Sequence, residues 1–178
     1  MAANAPSIRS QLIGAWELTE YSLYLQNDPS NKIYPMTPEV KGIIMYTPDG
    51  YMSAQLHTPG QKPFDGEQPF DRTDSPAKAQ SDWAQVGRNY IAYTGEFYLD
   101  ERGDEQGCPI LMHHMRCASL PSFVGNVQRR ILRFEDKAGE RYLVLAPANT
   151  VNVRGEDRVV VACWRKLPVN ERRGRQIE

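Results

Sequence analysis

The chain is short of the residues that staple or arm a protein. Its 178 residues hold three cysteines, Cys108, Cys117 and Cys163, an odd number without C-x-x-C spacing. That argues against both a disulfide framework and a zinc knuckle. Neither sign of charge dominates, since 21 Lys plus Arg face 22 Asp plus Glu. The basic footprint that binds phosphate backbones is therefore missing, and no nucleic-acid partner is expected. No stretch approaches the roughly 18 uninterrupted apolar residues of a membrane-spanning helix. The first ten residues, polar and small, lack the cationic start and apolar run of a secretory signal. Reduced thiols, a cytoplasmic location and no membrane partner are the expectation. Phosphate loops, dinucleotide fingerprints, zincin helices and serine-hydrolase elbows have no local signature either, so no cofactor is expected.

What the chain does have is strand composition broken by turns. Leu12 to Leu25, Val40 to Thr47 and Tyr51 to His57 are rich in aromatic and branched residues. Between the last two, Thr47-Pro48-Asp49-Gly50 sets a proline at a turn corner and a glycine that accepts positive φ, which makes a hairpin. Further strands are expected at Tyr90 to Asp100, Pro109 to Ala118, Asn126 to Glu135, Arg141 to Ala146 and Arg158 to Leu167. The stretch His57 to Ser75, with Pro59, Pro63, Pro69, Phe64 and Phe70, reads as a long lid-like loop. Asp74 or Ser75 then caps one inserted helix at about Pro76 to Asn89, where Ala79, Trp83, Val86 and Tyr90 recur at helical spacing. The expectation is an all-β fold of about eight antiparallel strands closed into a barrel, which removes exposed edges. Residues 1–168 form one such domain and 169–178 a charged, solvated tail.

Several segments resemble the lipocalin-like (calycin) domain proteins of bacteria and fungi, some encoded in fungal secondary-metabolite pathways. The matching pieces are Leu12-Ile13-Gly14-Ala15-Trp16 with the Gly-x-Trp of a first strand, Tyr46-Thr47-Pro48-Asp49-Gly50-Tyr51-Met52-Ser53-Ala54, Ala92-Tyr93-Thr94-Gly95, His113-His114, Pro121-Ser122-Phe123-Val124-Gly125 and Gln128-Arg129-Arg130. The chain departs from the family at Phe123, where a Trp is common, and at Glu96, where a basic or neutral residue is expected. The resemblance implies an eight-stranded barrel with a central cavity and no shared catalytic residue.

In a barrel, alternate strand residues face inward. Leu111, His113, Met115 and Cys117 form one set, with His114 on the opposite face, so the two adjacent histidines do not share a metal. Tyr93, Gly95 and Phe97 form another, and Gln128, Arg130, Leu132 and Phe134 a third; Ile44 and Tyr46 group on the first hairpin. His113, Arg130 and Tyr46 are the candidate catalytic groups; Tyr93, Gln128, Tyr51, His114, Phe97 and Trp16 are the candidate substrate contacts. An apolar wall with these polar groups suits a hydrophobic molecule bearing a carbonyl, phenol or enolate. His113 as general acid/base, with Arg130 and a tyrosine on the oxygen, would support a cofactor-independent isomerase, cyclase or dehydratase of secondary metabolism. A non-catalytic carrier needs only the cavity, and an interaction module would fill it with its own side chains. Arg130 has a competing structural role, stacking over Trp16 to close the barrel, which Arg165 beside Trp164 could fill instead. A homodimer, with Cys108 or the Trp83 helix at its contact, is compatible with the chain.

Overall fold

The computed structural model describes residues 6–63 and 76–170, with the side chains of 76–81 left aside. The caps at Asp74 and Ser75, most of the lid-like loop and the charged tail from 171 onward lie outside the described residues. A short helix, α1 (Ile8–Leu12), leads into β1 (Gly14–Leu25), β2 (Asp28–Ile33), β3 (Lys41–Tyr46) and β4 (Tyr51–His57). Helix α2 (Pro76–Asn89) follows, then β5 (Tyr90–Asp100), β6 (Ile110–Ala118), β7 (Val127–Lys137), β8 (Glu140–Ala146), β9 (Val151–Val153) and β10 (Glu156–Lys166). The sheet runs β2-β1-β3-β4-β5-β6-β7-β8-β10-β9, and antiparallel pairing of β1 with β10 closes it into an eight-stranded barrel with β2 and β9 as two extra strands. Among the described residues no helix is long and apolar enough to cross a membrane.

Turn chemistry fixes the hairpins. Gly50 takes φ +97° at the end of the Thr47-Pro48-Asp49-Gly50 turn, where its N–H donates to Thr47 O at 3.1 Å. The β7–β8 and β9–β10 connections are two-residue turns, Ala138-Gly139 and Arg154-Gly155, with both residues at positive φ as the twist of a tight hairpin demands.

Burial alternates cleanly along β3 and β4, placing Gly42, Ile44, Tyr46, Met52, Ala54 and Leu56 inside. Two bulges within the closed barrel break the alternation elsewhere. On β1 the register shifts between Leu18 and Glu20, so Trp16 and Leu18 face inward before the shift and Tyr21 and Leu23 after it. Between β5 and β6 it shifts at Thr94/Gly95, which turns Cys117, expected inside, onto the exposed side. Gly95 makes that shift feasible: a Cβ there would lie 1.8 Å from His114 O.

One barrel end is plugged. Leu12, expected to begin the first strand, instead ends α1 and is fully buried, because the Ser7 hydroxyl caps the helix by accepting from Ser10 N at 3.1 Å. Trp16 Nε1 donates to Leu12 O at 2.8 Å, tying the plug to the barrel. Leu12, Trp16, Ile44, Phe97, Leu111 and Leu143 belong to the packed core on that side.

Candidate functional site

The other half of the barrel is hollow. A cavity of about 910 Å³ runs between the late part of β1, the start of β5, the middle of β6, the start of β7, the end of β8 and the Val160–Trp164 stretch of β10. Small-molecule sites fall at about 300–1,000 Å³, so the space suits a ligand larger than one aromatic ring. The two extra strands lengthen its wall: β1 and β10 continue past the rim, β2 pairs with the one and β9 with the other, and Ile33, Val151 and Val153 from these flanks face the cavity. Leu23, Leu56, Leu145, Val160 and Ala162 supply more apolar wall. The interior is thus not filled by the protein's own side chains.

Of the nine site candidates, Tyr93, His113, Gln128 and Arg130 line this cavity. Three others lie in the packed half: Trp16 is 0% exposed, and Tyr46 and Phe97 are each 2% exposed. Tyr46 nonetheless reaches the site through His113, its Oη lying 3.0 Å from His113 Nε2. Phe97 meets the Tyr46 ring edge-on at 5.2 Å between centroids and so fixes its plane. The last two candidates are elsewhere. Tyr51 is 46% exposed on the outer face of β4, and His114 sits on the outer face of β6, with Nδ1 3.4 Å from Glu96 Oε2. Glu96 also accepts from Arg116 at 3.1 Å and so serves an outer-face ion-pair cluster.

Trp16 is closed over by neither Arg130 nor Arg165. Lys166 does this, with Nζ 4.2 Å from the ring centroid while it donates to Ile13 O and Gln11 O at the end of the plug. Arg165 points outward to Glu17 and Glu140. Arg130 is left to the cavity, where it donates to the Gln128 side chain and, at 3.1 Å, to Arg129 O.

Burial shapes the electrostatics of this end. His113 is 1% exposed, and desolvation, with the nearby Arg130 charge adding to it, lowers its pKa to about 3. The ring is therefore neutral at ordinary pH. Burial also pushes the Tyr93 hydroxyl up to about 12 and the Tyr46 hydroxyl well above its usual 10, with Arg130 opposing both. His113 and Tyr46 thus form a neutral pair. Either the hydroxyl donates to Nε2, leaving Nδ1–H for the cavity, or Nε2–H donates to the hydroxyl, leaving Nδ1 as an acceptor. Nδ1 has no partner among the described residues. The arrangement can accordingly hold a carbonyl or a phenol. Among the described residues no three His, Cys, Asp or Glu side chains cluster as a metal would require.

Residues that simple alternation missed include Tyr21, Ala162 and Trp164, all lining the cavity. Tyr21 is out of phase with Trp16 because of the β1 bulge. Gly95 was the available signal for the other bulge, since a glycine inside a strand marks a shift or a close backbone approach.

A closed antiparallel barrel with one plugged end and a ligand-sized, largely apolar cavity in its other half is the architecture of a lipocalin-type barrel. The chain belongs to the lipocalin-like domain family, whose model matches residues 13–167. A curated relative is the 4'-hydroxy-3'-methoxypropiophenone carrier protein ppsC of Aspergillus oryzae, 27% identical over 118 residues that cover 66% of this chain and 97% of that protein.

Proposed function

We propose that the protein binds and carries a small hydrophobic molecule bearing a carbonyl or phenol group, an intermediate of secondary metabolism, inside the barrel. The observation that carries this reading is the largely apolar cavity of about 910 Å³ with the neutral, tyrosine-bound His113 in its wall. A neutral imidazole can position an oxygen by one hydrogen bond without placing a charge on it. Tyr93 and Gln128 would orient the same ligand, and the aryl-ketone phenol in the relative's name has this chemistry.

A second reading, a cofactor-independent isomerase, cyclase or dehydratase, draws on the same dyad: His113 would take a proton, Tyr46 would steady the ring, and Arg130 would stabilise an enolate oxygen. The lowered basicity of His113 favours the carrier. A general base works best with a pKa near the working pH, and one titrating at about 3 accepts a proton poorly at neutrality.

The test is to incubate purified protein with a series of para-acyl phenols, weigh the complexes by native mass spectrometry and recover the compounds by chromatography. A one-to-one complex that returns its ligand unchanged is expected. Conversion that vanishes in His113→Gln would replace the carrier with the enzyme, and absence of any complex across the series would remove both.

A further inference from the structure

The whole chain is close to neutral, at a net charge of −1, yet its cavity is not. Three arginines line it, Arg129 and Arg130 from β7 and Arg154 from the β9–β10 turn, and no described Asp or Glu does. The remaining titratable groups of the wall are Tyr21, Tyr34, Tyr93 and His113. None of the three guanidinium groups forms an ion pair with a carboxylate among the described residues, although the exposed Arg129 lends some of its charge to lowering the Asp100 pKa; the partners of Arg130 are a neutral amide and a backbone carbonyl. Other barrel arginines do meet one, as Arg165 meets Glu17 and Glu140, Arg158 meets Glu156 and Arg141 meets Asp136.

Position strengthens the contrast. Arg130 is half buried, and its charge opposes the rise that burial imposes on the Tyr21, Tyr46 and Tyr93 hydroxyls and adds to the lowering of His113. Arg154 holds a left-handed corner at φ 54°, where Gly or Asn would cost least, and so sets a long cationic side chain on the rim. Unneutralised cations beside an apolar wall form a site for an amphiphile with a negative end, because a guanidinium gains most from an anion where water is partly excluded.

We propose that the cavity takes its ligand as an anion, an acidic phenol or enol bound as its conjugate base, with the charged oxygen toward Arg129, Arg130 and Arg154 and the body against the apolar wall. This rests on the binding reading above and narrows it from any carbonyl- or phenol-bearing molecule to one that ionises near neutral pH. Conjugation to a para carbonyl acidifies a phenol, so the same molecule meets both requirements.

The experiment uses the full chain with 4-hydroxypropiophenone and its methyl ether, which matches it in shape but cannot ionise. The phenolate absorbs at longer wavelength than the phenol, so a spectrophotometric pH titration reads the ionisation of the bound compound directly. The expected result is a bound pKa at least about one unit below the free value, equivalent to roughly tenfold tighter binding of the phenolate. In the triple variant Arg129→Gln/Arg130→Gln/Arg154→Gln the phenol-to-ether affinity ratio should fall toward one, with ether binding showing that the variant is folded. Salt gives the same information without a variant: raising NaCl from ~0.05 M to ~0.5 M should weaken the phenolate several-fold more than the ether. A bound pKa equal to or above the free value, or a salt response shared by both compounds, overturns the anion proposal and leaves the carrier standing. Failure of both compounds to bind overturns the two together.

Discussion

Replacing His113 by Gln should make the protein less sensitive to acid. In the unfolded chain this histidine titrates near its ordinary value of about 6.5. In the folded barrel its pKa is lowered to about 3 by burial and by Arg130. Between those values the unfolded state binds a proton that the folded state refuses, so stability rises with pH and is lost as pH falls through the window. From about pH 7 to about pH 5 a single such group removes about 2 kcal/mol, at 1.36 kcal/mol per unit once below the unfolded pKa. Glutamine is of similar size, keeps a hydrogen-bonding group for Tyr46 and does not titrate in that range. His57 and His114 are common to both proteins and cancel in the comparison. Urea unfolding at the two pH values, in wild type and variant, is the assay. With a slope of roughly 2 kcal/mol per molar, the wild-type midpoint should drop by about 1 M more than that of the variant. Equal acid losses in the two proteins would refute the claim that His113 is buried neutral, and with it the argument that the ring is a hydrogen-bonding anchor rather than a base.

The plug and the walls give further expectations. Lys166→Met strips two backbone carbonyls of their donor and uncovers the Trp16 ring, which should cost about 2–4 kcal/mol and lower Tm by roughly 5–15 °C in calorimetry. Tyr46→Phe leaves His113 Nε2 without its partner in the core, for a loss of about 1–3 kcal/mol in urea unfolding; because Tyr46 does not line the cavity, ligand affinity should change less than in His113→Gln. Gly95→Ala drives a methyl group into His114 O and Arg116 N, so the β5–β6 pair must part locally; a loss of about 3 kcal/mol, or failure to fold, is expected by circular dichroism. At alkaline pH the sign reverses relative to His113: the raised Tyr93 pKa keeps its proton in the folded state, so stability falls as pH climbs from about 10 toward 12, and Tyr93→Phe should soften that fall.

Most of the barrel was legible because half-buried strands announce themselves by period two, and the Lys41–Tyr46 and Tyr51–His57 strands obey it without exception. The same rule placed His113, Gln128, Arg130 and Tyr93 on the cavity side. Applied to the second strand of that hairpin it also sends Tyr51 outward, a consequence its aromatic character had obscured. Errors collect where the ladder slips. The bulges at Leu18/Glu20 and Thr94/Gly95 reverse the parity of everything beyond them, which brought Tyr21 inward and put Cys117 outside. The strand Asp28–Ile33 was missed because it is polar and contains a proline, and it is exposed along nearly its whole length; pairing with one neighbour needs no apolar face. The choice of Lys166 over either arginine as the closure of Trp16 depends on where the plug's free carbonyls fall, and strand composition carries no information about that.

The central claim is that the hollow half of this barrel is the ligand site, and isothermal titration of a para-acyl phenol into wild type and Ala162→Phe tests it most directly. Ala162 lines the cavity between the β1 and β8 sides of β10, so a phenyl group there occupies ligand space. One site per chain in the wild type, with affinity reduced at least about tenfold in a variant that remains folded, is the result the account predicts, since overfilling such a site costs on the order of 1–3 kcal/mol. Undiminished binding by the filled barrel would place the ligand elsewhere and contradict the account.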